Sequence, residues 1–94
     1  MQRMLTLTIK TRWFNEILSG RKTEDFREIK KYYIDRFTNK EYTTIKLRAG
    51  YNTNSPALVA DIVSITVETR HFDMFPVQCF VIKIKNARLV NENN

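Results

Sequence analysis

Lys22, Asp25 and Arg27 are the residues of this chain whose types and spacing suit chemistry. They fall in the run Gly20-Arg21-Lys22-Thr23-Glu24-Asp25-Phe26-Arg27. The planar fork of Arg27 can grip a phosphate or a base edge at two points. Lys22 can hold a phosphate as a point charge. Stripped of water, its pKa falls and it can serve as a general base or nucleophile, with Asp25 as the group that orients it. Read as a strand, the run puts Thr23, Asp25, Arg27 and Ile29 on one face and Lys22, Glu24, Phe26 and Glu28 on the other. Asp25 and Arg27 are then about 6.5–7 Å apart at Cα, a gap their side chains can bridge. Ionised groups are almost never buried without partners, so a strand charged on both faces is either an exposed edge or the wall of a polar cleft. On an exposed edge the ion pair is worth only about 0–1 kcal/mol.

The flanking elements must position these groups. Leu5, Leu7 and Ile9 alternate with Thr6, Thr8 and Lys10, the pattern of a half-buried strand from Met4 to Ile9. Thr11 can cap a helix from Arg12 to Ser19, whose Trp13, Phe14, Ile17 and Leu18 form one apolar stripe destined for the core. Gly20 suits the left-handed residue that ends it. The charged strand runs from Thr23 to Ile29. A second short helix spans Lys30 to Phe37, with Tyr33, Ile34 and Phe37 turned inward, and a strand from Thr43 to Ala49 buries Ile45, Leu47 and Ala49. Gly50 to Pro56 reads as a loop. From Ala57 to Val67 the apolar parity switches between Ile62 and Val63, which predicts a β-bulge near Asp61 to Val63. Arg70 to Pro76 reads as a loop with exposed Phe72 and Phe75. Gln78 to Lys85 forms a strand, and Ala87 to Val90 a last short one.

This order, β-α-β-α-β-β-β, lacks the crossovers of a doubly wound sheet. It predicts an α+β fold: a small, mixed, partly closed barrel with two helices at its side.

The chain has 94 residues, 43% hydrophobic and 28% charged, which suits one domain over residues 1–90 with a frayed polar tail at 91–94. One cysteine, Cys79, rules out an intrachain disulfide and sits in an apolar run as a core thiol. Met1 to Lys10 alternates instead of forming an apolar signal core, and no run approaches the ~20 apolar residues of a membrane span. A reducing cytoplasm and no membrane partner are the expectations. His71 stands alone in a loop and no Cys/His/carboxylate spacing accompanies it, so neither a metal nor another cofactor is expected. Glu68 and Asp73 flank that loop as possible cleft carboxylates.

The formal charge of +6 favours a polyanionic partner or serves solubility alone. The basic residues are spread along the chain and would meet only in three dimensions. Lys30, Lys31, Lys46 and Arg48 are candidate phosphate contacts beside Lys22 and Arg27, and Tyr51 is a candidate stacking platform for an unpaired base.

The helix-glycine-charged-strand unit from Trp13 to Glu28 resembles the signature of the ASCH (activating-signal-cointegrator homology) domain, a family of the PUA-like superfamily with the hallmark G-x-K-x-x-E-x-R. Gly20, Lys22 and Arg27 fit it; Asp25 stands where glutamate is usual. Lys30 to Phe37 resembles the family's second helix. Leu47-Arg48-Ala49-Gly50-Tyr51 resembles the strand and Gly-Tyr loop of small phage and prophage members, and Phe80-Val81-Ile82-Lys83-Ile84 resembles their closing strand. The resemblance implies a PUA-like β-barrel with a cleft beside the motif that binds RNA, another single-stranded nucleic acid, or a modified nucleobase or nucleoside. One branch of the family is similar to an amidohydrolase of N-acetylated cytidine that uses the motif lysine, a threonine and a later glutamate. Lys22 matches the lysine, Asp25 stands in place of the threonine, and Glu68 is a candidate for the glutamate. Other relatives are nucleases. The expectation is a binding module, with a hydrolase or nuclease using Lys22 and Asp25, or a protein-interaction module, as alternatives.

Overall fold

The computed structural model describes residues 3–52 and 54–90. The expected tail at 91–94 lies outside the described residues. Seven elements follow in order: β1 (Met4–Ile9), α1 (Thr11–Leu18), β2 (Glu24–Glu28), α2 (Lys31–Phe37), β3 (Thr44–Ala49), β4 (Ala57–Phe72) and β5 (Phe75–Val90). The strands form one mixed sheet in the order β1-β3-β4-β5-β2, with β1 parallel to β3 and the other pairs antiparallel. The α+β class is as expected. Among the described residues no ladder joins β1 to β2, so the sheet stays open between these two edges.

The alternation in β1 and β3 places Leu5, Leu7 and Ile9 beside Ile45, Leu47 and Ala49. Leu58 and Ala60 of β4 and Ile82 and Ile84 of β5 continue the core, and Phe14 and Ile17 of α1 close it. Each fully buried Leu or Ile contributes about 1.5–3 kcal/mol relative to exposure. That packing, not capping, holds α1. Its N-cap is Lys10, without a side-chain cap bond, and Thr11 is the first helical residue instead of the expected cap. Gly20 ends the helix with φ at 86°, and its N–H donates to the Ile17 carbonyl while the Lys22 N–H donates to Glu16.

β4 and β5 form one hairpin of two 16-residue strands. The expected loop from Arg70 to Pro76 is instead its far end, closed by a two-residue turn at Asp73 (φ 48°) and Met74 (φ 73°) between paired Phe72 and Phe75. Two positive φ values match the twist of the strands, as in a type I′ turn. The ladder slips twice, between Val59 and Asp61 and between Ile62 and Ser64. The second slip is the expected bulge, and it lets both Ile62 and Ile65 pack on the core. The first follows Asn86 on β5, in the left-handed region (φ 58°) and bonded to Asp61 at 2.9 Å. Ala87–Val90 therefore continues β5 and is not a separate strand.

The far half of this hairpin curls back over β2. Arg70 lies six positions along the ladder from the row of Glu24, yet its guanidinium grips both Glu24 oxygens at 2.9 Å. Phe72 meets Phe26 edge-on at 5.4 Å. This arm covers the second face of β5 and explains why Cys79 and Val81 are buried there.

Candidate functional site

The opening between β1 and β2 is a cleft of about 550 Å³. Its walls are the end of β1 and start of α1 (Thr8 to Thr11), Trp13, β2 from Asp25 to Glu28, Lys30, Tyr33 and the Gly50-Tyr51 turn. α2 spans the same gap. Its Arg36 Nη2 donates to the Thr6 carbonyl on β1 at 2.9 Å, and its Tyr33 hydroxyl accepts from Arg27 Nη1 on β2 at 3.1 Å. Phe37 adds an edge-on contact with Phe80 at 4.8 Å. The helix thus links two edges that no backbone ladder connects.

Asp25 and Arg27 form the polar floor. Arg27 Nε and Nη2 each donate to Asp25 Oδ2 at 2.9 Å. Asp25 is the one buried charged residue among those described, 5% exposed. Burial pushes its carboxyl above the usual carboxylate range, while the Arg27 charge and hydrogen bond pull the other way, followed by the Lys22 charge and the Phe26 N–H. Burial also works against the Arg27 cation, but Asp25 and the Tyr33 hydroxyl outweigh it and hold its pKa above the ordinary value. Arg27 therefore remains a cation, fixed on two sides by Asp25 and Tyr33. Asp25 and Arg27 thus line one hollow; Lys22, the third residue of the charged run, does not line it.

Lys22 stands behind the cleft wall. Its ammonium lies 5.0 Å from the Trp13 ring centre and 4.4 Å from that of Phe26, and both rings line the cleft. Burial lowers its pKa, opposed by the charges of Asp25, Glu24 and Glu16. Lys30 lines the cleft with its ammonium 5.4 Å from the Tyr33 ring centre. Tyr51, 91% exposed, stands at the rim. The other candidates lie elsewhere. Lys31 bonds Asp35 one helical turn on. Lys46 and Arg48 sit on β3 outside the lining, and Arg48 donates to the Ser55 carbonyl at 2.8 Å. Glu68 is held by Thr66 and Arg70 on the arm, Asp73 is in the hairpin turn and His71 is exposed beside it.

Sequence reasoning passed over Trp13, Phe26, Tyr33 and Lys10 as cleft residues. The Trp13 ring, expected in the core, is more than a third exposed and carries Arg12 at 4.6 Å and Lys22. The signal was available in part: on a helical wheel Trp13 lies at the margin of the stripe centred on Phe14 and Ile17. No signal pointed to Tyr33, because its partner Arg27 is on another element.

Comparison with protein-family models, with curated proteins and with solved structures finds no match to this chain. No helix among the described residues is long and apolar enough to cross a membrane.

Proposed function

We propose that the chain is an ASCH-type domain of the PUA-like kind that binds single-stranded nucleic acid, RNA foremost, or a modified nucleobase, in the cleft between β1 and β2. One observation carries this reading: a cation fixed by Asp25 and Tyr33 lies at the floor of a hollow whose walls hold aromatic rings and further lysines. Arg27 and Lys30 suit phosphate or a base edge, Trp13 and Tyr51 offer ring surface for stacking, and α2 in the gap completes what a PUA-like barrel would close with strands. The +6 charge supplies long-range attraction for a polyanion. The test is a salt titration of binding to a short oligouridylate. The logarithm of affinity should fall linearly with the logarithm of salt, with a slope of about −0.7 for each phosphate neutralised. Affinity independent of salt would count against the reading.

A hydrolase of a modified nucleoside is the second reading. It is favoured by the setting of Lys22, whose ammonium stands over the Trp13 and Phe26 rings and whose pKa burial lowers, as a lysine acting as base requires. On this reading Lys22→Ala abolishes turnover of N-acetylcytidine while affinity stays within about tenfold. Equal loss of both, or no turnover by the unmodified chain, leaves recognition alone.

A further inference from the structure

The cleft shares a wall with a second hollow. Trp13 and Phe26 line both, and Arg12, Lys22 and Glu16 line the second, which has a volume of about 400 Å³. Along this wall cations and rings alternate. Arg12 lies 4.6 Å from the Trp13 ring centre, Lys22 lies between Trp13 and Phe26, and Phe26 leads at 5.4 Å to Phe72 on the curled arm. Phe75 pairs with Phe72 across the ladder and is 71% exposed.

The carboxylates around this strip are already matched. Glu16 is bonded to Arg21, and Glu24 and Glu68 to Arg70. Arg12 and Lys22 instead stand over rings; among the described residues neither makes an ion pair within 4.0 Å. Fixed positive charge interleaved with aromatic surface suits a chain that is anionic at every repeat and carries a flat ring on each. An acidic polypeptide uses the charge but has no base to stack on Phe75.

We infer that a single strand of nucleic acid seated in the cleft continues out of it over the Trp13–Phe26 wall to the end of the arm, with phosphates on Arg12 and Lys22 and a base on Phe75. This rests on the cleft reading above and extends it from a pocket to a track.

The test compares labelled oligouridylates of four and twelve nucleotides, titrated with the full chain at fixed low salt and followed by fluorescence anisotropy. The longer oligomer should bind the unmodified chain about tenfold or more tighter. Phe75→Ala, at an exposed site that leaves the core intact, should weaken the 12-mer by roughly five- to 150-fold, the loss of one stacked base, and leave the 4-mer unchanged. Arg12→Ala should flatten the salt slope of the 12-mer by about 0.7. A 12-mer that binds both variants as it binds the unmodified chain overturns the track and leaves the cleft standing. Failure of both oligomers to bind overturns the cleft and the track together. Displacement of the 12-mer by polyglutamate as effectively as by unlabelled oligouridylate assigns the strip to acidic polypeptides and also overturns the track.

Discussion

Arg27 is the residue on which both structure and proposed chemistry turn. Its side chain and that of Asp25 are 11% and 7% exposed, so the pair is buried and the small values typical of surface ion pairs do not apply. A buried pair is costly to assemble and costlier to break, because removing one member strands the other charge away from water. Arg27→Met is therefore expected to destabilise the fold by about 3–5 kcal/mol in urea unfolding. Adding Asp25→Leu should restore most of that loss, since an apolar pair of similar volume leaves no stranded charge. A double variant no more stable than Arg27→Met would mean that the pair supports the fold through Tyr33 and α2 instead. The same arrangement serves recognition: a guanidinium already fixed by Asp25 and Tyr33 loses little freedom on meeting a ligand.

At the scale of elements, the curled arm depends on one clasp. Arg70 bonds Glu24 and Glu68; its bond holds the Glu24 carboxyl below the ordinary value of 4.5, and the Thr66 hydroxyl followed by Arg70 does the same for Glu68. A carboxyl whose folded pKa is depressed gives stability that is fully present above the unfolded value and is lost as pH falls through the folded one. The clasp should thus be intact above about pH 4.5 and weaken below it. Thermal melts between pH 6 and 3 should show a steeper acid loss for the unmodified chain than for Arg70→Ala, a comparison that cancels the opposite contribution of Asp25. The two chains losing stability in parallel would remove the clasp from the account. Cys79 offers a second readout at neutral pH. It lies buried under the arm, and Arg70→Ala should speed its reaction with a thiol reagent.

At the scale of the whole molecule, the open sheet explains where a site can be. A sheet that curls without closing leaves two unpaired edges, which natural proteins cover. Here α2 covers part of the gap from the side, with no buried residue of its own, and the remainder is the cleft. The basic residues meet only on this assembly: Lys10 from the N-cap of α1, Arg27 from β2 and Lys30 from the N-cap of α2 line one hollow although 20 positions separate the first from the last.

The sequence by itself determined the α+β class, the strand faces of β1 and β3, the Gly20 turn, the bulge in β4 and the anomaly of a strand charged on both faces. Each rests on local periodicity or on a backbone conformation that one residue type favours, and both survive in one dimension. It did not disclose the hairpin end, because Asp73-Met74 carries no glycine to announce two positive φ values and the polar and apolar residues around it read as loop. Nor did it disclose which charges are buried, which rings face the cleft, or that Arg70 reaches Glu24 across 46 positions. Those follow from the coiling of a long two-stranded arm and from a gap bridged by a helix, properties of how elements pack that no stretch of residues encodes alone.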